Sequence, residues 1–203
     1  MGAPEPLGLF SDYTNRTTMA TTPHRPADDE LLAIRCQLGE PAAFDDLIAR
    51  WHTPLWSFVR RLVGEDDAAR EIFQDVWIRV IRGIPRLRDG SKLRAWLFGI
   101  ARRTLMDRLR QEYARSPAAD VDVDDIAADP SAANDAEDLQ QLEGALAELP
   151  IIEREAVTLF YLQELPLNEV AEALKVPVGT VKSRLFRARR LLRQAMSSRG
   201  VRP

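Results

Sequence analysis

The sequence predicts an all-α protein. Apolar residues recur at three- and four-residue spacing through most of the chain after Asp28, and no segment alternates with period two over a strand's length. A third observation sets the organisation: charge is laid out in blocks, and those blocks follow the helical pattern. The picture is two small helical domains, a bundle over 28–115 and a helix-turn-helix unit over 138–197, joined by an acidic flexible linker over 116–137.

The first 27 residues mix Pro, Gly, Ser and Thr without apolar periodicity and read as a disordered tail, so that Met19 is a candidate start. Leu31, Leu32, Ile34 and Leu38 mark a first short helix, closed near Gly39 and Pro41. Phe44, Leu47, Ile48 and Trp51 open a second, which runs past Pro54 through Phe58 and Leu62 to Gly64. Ile72, Phe73, Val76, Trp77 and Val80 form the face of a third. A turn-rich basic loop over 84–92 precedes a fourth, whose expected buried set is Leu93, Trp96, Leu97, Ile100, Leu105 and Leu109. The Ala- and Asp-rich stretch that follows has too little apolar surface to offset the entropy of ordering. Helices resume at Leu139, and residues 198–203 read as a short tail.

Composition excludes several function classes. No run of about 18 apolar residues is present, so no membrane span is expected. The N-terminus lacks a basic segment followed by an apolar one, so it does not read as a secretory signal. Cys36 stands alone, with only His24 and His52 beside it, which excludes an internal disulfide and a zinc cluster. These features point to a reducing, cytoplasmic setting without a metal or cofactor. No nucleophile–base spacing and no Gly-rich phosphate loop appears, so an enzyme is not expected and no catalytic residue is assigned.

A formal net charge of −3 hides the charge blocks. Residues 78–115 carry eleven bases against Asp89, Asp107 and Glu112. Residues 177–203 carry eight bases and no acid, whereas 116–138 holds eight acids and no base. Two cationic surfaces on an anionic tether suit a polyanionic partner, although solvated helix faces produce the same blocks.

The sharpest local signal is 166–193, PLNEVAEALKVPVGTVKSRLFRARRLLR. A short helix containing Val170, Ala171 and Leu174 is followed by the turn Lys175-Val176-Pro177 and a second helix from about Val178. Helical projection puts Val178, Val181, Leu185, Ala188 and Leu192 on one stripe. Ser183, Arg187 and Arg190 fall opposite, with Lys182 and Phe186 on a flank. An outward aromatic amid arginines is costly on a free surface and useful against thymine methyls in a major groove. Thr180 lies in the first turn, where free N–H groups favour a phosphate. Lys182, Ser183, Phe186 and Arg187 are candidate base readers, with Arg184 and Arg190 better placed for phosphates. An amphipathic hairpin with a charged outer face is the plain alternative.

The segments VGTVKSRLFRAR (178–189), LNEVAEAL (167–174) and ALAELPIIEREAVTLFYLQEL (145–165) resemble the promoter-recognition domain of bacterial RNA polymerase sigma factors, most closely the extracytoplasmic-function (ECF) group. AFDDLIARW (43–51), DDAAREIFQDVWIRV (66–80) and LRAWLFGIARRTLMDRLR (93–110) resemble the same group independently, in the right order. The resemblance implies that Glu71, Gln74, Asp75 and Arg79 bind the coiled coil of the polymerase's largest subunit. It implies that Arg86, Arg88, Asp89, Ser91 and Lys92, with Arg94, Arg102, Arg103, Asp107 and Arg110 on the following helix, capture and open the minus-ten element. Trp96, at helical spacing with Ile100, reads as core. The resemblance also implies that the last domain reads the minus-thirty-five duplex and that an anti-sigma factor holds the free protein inactive. Arg103 stands where the family usually has Asn, and Pro166 where a capping Ser is common. Two rival readings are a stand-alone helix-turn-helix regulator and a helical adaptor that never touches DNA.

Overall fold

A computed structural model describes residues 26–115 and 143–198, and every described element is helical. The N-terminal tail with Met19, the acidic linker and the end of the C-terminal tail lie outside the described residues, save that the first helix begins at Pro26. Helices α1 (Pro26–Gln37), α2 (Pro41–Val63), α3 (Asp66–Gly83) and α4 (Leu93–Arg115) form the first half. The second comprises the end of α5 (143–147), α6 (Ile151–Val157), α7 (Leu167–Leu174) and α8 (Val178–Ser198). Among the described residues no helix is long and apolar enough to cross a membrane.

The boundaries follow local chemistry. Helix α2 starts on Pro41, whose fixed φ suits a first turn, and ends at Gly64, where φ is +87° and the glycine N–H donates to Arg60 O. Asp66 and Asp67 then place negative charge in the first turn of α3, beside the positive end of its dipole. Helix α6 passes into one wider π-helical turn over Thr158–Leu162, which Glu164 ends at φ +52°.

The core of the first half is aromatic. Phe98 meets Trp51 and Phe58 edge-to-face at 6.2 and 5.4 Å, and Phe73 meets Trp56 and Trp77 at 5.3 and 6.2 Å. On α4, Leu93, Leu97, Ile100 and Leu105 are buried as expected, whereas Trp96 and Leu109 are only half-buried.

Helix α1 forms where expected but buries a different face. Asp29, Leu32, Ala33 and Cys36 turn inward, and Leu31, Ile34 and Leu38 are exposed. Small Ala33 and Cys36 allow close approach, with the Cys36 thiol donating to Ala43 O at 3.4 Å. Asp29 anchors the inward face by pairing with Arg50 at 3.0 Å. Burial pushes the Cys36 thiol up to about 11 and the Asp29 carboxyl up to about 6, the latter against the pull of Arg50 and Arg94.

The two halves, expected as separate modules, lie against each other. Helix α4 packs along α7, and the buried apolar residues of both halves form one continuous cluster. Gly99 lies close against α7: a Cβ there would stand 3.4 Å from Ala173 O.

Two consequences are measurable. Phe98→Ala is expected to cost about 3–5 kcal/mol in urea unfolding, whereas Phe186→Ala, at an exposed position, stays within about 0.5 kcal/mol. Asp29 holds a proton in the folded chain up to about pH 6 and releases it near 3.8 when unfolded. Its contribution to stability is therefore full below about pH 4 and lost as pH rises to about 6. Asp29→Asn removes that part of the slope in a thermal-denaturation series over pH.

Candidate nucleic-acid interface

Three surfaces collect the candidate residues. The first is α8. Its inner stripe, Val181, Leu185 and Ala188, is buried, while Val178 at its start is partly exposed. The turn before it is set by Lys175, which adopts a left-handed conformation (φ 53°) and donates its N–H to the last carbonyls of α7. Lys182, Ser183, Phe186, Arg187 and Arg190 are all exposed, with Phe186 at 65%. Ser183 Oγ donates to Thr180 O at 2.9 Å, one turn back. Lys182 and Arg190 pair with no acid among the described residues.

Arg184 and Arg187 are held from behind by buried carboxylates. Arg184 Nη1 lies 2.8 Å from Glu155 Oε1, and Arg187 Nη1 lies 3.4 Å from Glu153 Oε1. Arg184 is thus engaged inside the fold, and Arg187 is tethered with its end still exposed. Between the two carboxylates in sequence, buried Arg154 donates to Leu149 O and Ala147 O, meeting carbonyls at the end of α5. The run Glu153-Arg154-Glu155, charged and wholly buried, escapes a reading by hydropathy. Its one signal is position, with Ile151-Ile152 before it and Ala156-Val157 after it.

The second surface is the loop 84–92 and the start of α4. The loop is two 3₁₀ turns, Ile84–Arg86 and Gly90–Lys92. Asp89 caps the second by accepting from Ser91 N (3.1 Å) and Ser91 Oγ (2.5 Å). Gln37 of α1 donates to Leu87 O at 2.6 Å and Ile84 O at 3.3 Å, bracing the loop from outside. Arg86 and Arg88 are exposed. A cavity of about 450 Å³ opens beside the loop, lined by Arg88, Lys92, Trp96, Arg103, Glu172 and Lys175. A half-buried indole among cations is suited to an unpaired base and its phosphate. Trp96 therefore borders open space on one side, while the other side of its ring packs against the core beside Gly83. Burial, with the charge of Arg79 next, holds Arg103 below the usual arginine range.

Several arginines of this surface face the other half of the chain. Arg94 is 8% exposed, donates to Gln163 O and lies 4.0 Å from Glu169. Arg102 Nε lies 2.6 Å from Glu155 Oε2, so Glu155 bridges Arg102 and Arg184. Burial pushes the Glu155 carboxyl up, and the two guanidinium groups pull it back. Lys92 Nζ pairs with Glu172 at 3.0 Å.

A third, polar face lies on α3. Glu71, Gln74, Asp75 and Arg79 are exposed there, with Glu71 bound to Arg108 (2.6 Å) and Arg79 to Asp107 (2.7 Å). Asp107 also takes Arg110 at 3.3 Å, linking this face to α4.

Comparison with known proteins agrees with this geometry. The family model for sigma-70 region 2 matches residues 47–115, and that for sigma-70, region 4 matches 139–192. The chain is 32% identical over 173 residues to the ECF RNA polymerase sigma-E factor of Escherichia coli K12, covering 79% of this chain and 90% of that one. It is 28% identical over 180 residues to the RNA polymerase sigma-H factor of Pseudomonas aeruginosa, covering 83% and 93%. Among solved structures it is similar to the sigma factor RpoE in complex with the anti-sigma factor NepR from Bartonella quintana. That match has a TM-score of 0.64 and 27% identity, over 76% of this chain and 96% of that one. The fold is also that of CnrH in its complex with the cytosolic domain of CnrY (TM-score 0.62, 22% identity, 84% of this chain and 97% of that one). With both regions in order and nearly the whole length of its relatives spanned, the chain belongs to the ECF sigma factors of RNA polymerase, alternative factors that direct transcription initiation.

Proposed function

We propose the following division of labour among the residues of this factor. Residues 28–115 form the core-polymerase and minus-ten module, 116–137 a connecting acidic linker and 138–197 the minus-thirty-five module, flanked by tails over 1–27 and 198–203. Glu71, Gln74, Asp75 and Arg79 meet the largest-subunit coiled coil of core polymerase. The loop residues Arg86, Arg88, Asp89, Ser91 and Lys92 receive the unpaired minus-ten strand, with Arg94, Arg102, Arg103, Asp107 and Arg110 behind them. Lys182, Ser183, Phe186 and Arg187 read base edges of the minus-thirty-five duplex, while Thr180 and Arg190 meet phosphates; Arg184, expected at a phosphate, instead braces α8 from inside through Glu155. The factor acts in the cytoplasm, performs no bond chemistry of its own, and is held inactive by an anti-sigma factor of the kind bound to its structural relative.

The observation that carries this reading is Phe186, 65% exposed among Lys182, Ser183, Arg187 and Arg190 while the opposite stripe of α8 is core. An apolar ring is held in water there at a cost, and a thymine methyl in a major groove removes it.

The test is in-vitro transcription with purified core polymerase over a promoter pool, with and without the chain. Chain-dependent start sites are expected, and Phe186→Ala reduces them about tenfold or more by weakening one base-pair position. Arg190→Ala weakens duplex binding evenly across sequences and lowers the log–log salt slope by about 0.9. Absence of chain-dependent starts with active core overturns the reading, and tight binding to a palindromic duplex without core replaces it with a stand-alone regulator.

A further inference from the structure

We infer that Glu153 is a positioning residue for sequence reading: from behind α8 it fixes the guanidinium of Arg187 in the orientation that engages one base pair of the minus-thirty-five duplex. The inference rests on the proposed assignment of Arg187 to base edges.

The placement of the two groups comes first. Glu153 is buried on α6, the helix that packs against the inner side of α8. Arg187 Nη1 lies 3.4 Å from Glu153 Oε1, with the arginine side chain 52% exposed and the carboxylate side chain 2% exposed. One end of this pair is inside the fold and the other is on the outer surface of α8. The neighbouring pair differs, because Arg184 is only 16% exposed against Glu155, so both of its ends are interior. Arg184 and the buried stripe Val181, Leu185 and Ala188 already fasten α8. A further tie through a half-exposed arginine adds little to stability.

Electrostatics argues the same way. A carboxylate a few ångströms behind a helix that meets phosphates repels a polyanion whatever its sequence. Glu153 therefore weakens binding at every site, and what it contributes is discrimination between sites. The geometry supplies the means. Arginine has many rotamers, and a free one follows a phosphate or a wrong base as readily as the right base. Lys182 and Arg190, exposed on the same helix, pair with no acid among the described residues. Arg187 is anchored through Nη1. That leaves Nε and Nη2, the parallel donors along its other edge, for the two acceptors of a guanine edge. Its orientation is set before the duplex arrives, which lowers the entropy lost on contact.

The test is transcription by holoenzyme reconstituted from core polymerase and the full chain, over a promoter pool randomised through the minus-thirty-five region. Arg187→Ala identifies the base pair that Arg187 reads, as the position at which preference is lost. Glu153→Gln, close in shape and without charge, is expected to reduce preference at that same position about tenfold. Preferences elsewhere stay as in wild type, and output from promoters lacking the preferred base is held or raised, since a repulsive charge is gone. In the Arg187→Ala background Glu153→Gln changes the profile no further. Glu153→Asp keeps the charge and withdraws the anchor, and it loses preference at the same position, which carries the comparison if the glutamine variant fails to fold. An unchanged profile in Glu153→Gln overturns the inference. So does a fall in output shared by every promoter, the mark of a merely structural residue, and so does a loss that adds to that of Arg187→Ala. A profile that Arg187→Ala leaves unchanged refutes the assignment of Arg187 and the inference with it. A preference lost in Arg187→Ala but kept in both Glu153 variants refutes the positioning role alone.

Discussion

A carboxylate with no access to water, Glu155, sits where three helices meet. It carries the guanidinium of Arg102 on one oxygen and that of Arg184 on the other. Isolated in that position the charge would be prohibitively expensive, and with two well-placed arginines it becomes an organising centre. Helix α6 supplies the acid and α4 and α8 the bases, so that one carboxylate ties three helices together. Glu153 repeats the device on Arg187, and Arg154 between them ties α6 to the carbonyls that end α5. Three consecutive charged side chains thus do in the second half what aromatic packing does in the first.

That contrast reflects size. The first half has enough chain to enclose Trp51, Phe58, Phe98 and Trp77 in edge-to-face contact, and its stability rests on apolar area removed from water. The second half packs two short helices, α6 of seven residues and α7 of eight, against the longer α8 and has a small interior. Specific ionic and main-chain hydrogen bonds fix its shape, and its apolar residues are continuous with those of the neighbouring half. A module of that kind is stable against a partner surface and adaptable when that surface changes.

The helices were legible because period 3.6 is written in large apolar residues: Phe73, Val76, Trp77 and Val80 on α3, Val181, Leu185 and Ala188 on α8. So was the outward Phe186, since helical projection alone separates it from that stripe. What hydropathy could not show is which face of a short helix wins when both are mixed. Helix α1 turned Ala33 and Cys36 inward in place of the larger Leu31 and Ile34, because close approach and the Asp29–Arg50 pair outweighed side-chain size. Nor could it show that several arginines of the basic blocks are bound internally. Charge arithmetic along a chain treats Arg94 and Arg102 as available, whereas their counterions lie more than fifty residues away in sequence, past the acidic stretch.

The bracing of the loop by Gln37 has an evolutionary reading. A single amide outside the loop holds two of its main-chain oxygens, those of Ile84 and Leu87, and asks nothing of the side chains those residues display. The exposed side chains of Arg86 and Arg88 take no part in this brace, so substitutions there change the chemistry the loop displays while its backbone keeps its course. What the loop displays and what holds it in place are thereby divided between neighbouring residues, side chains for the one and main-chain oxygens for the other.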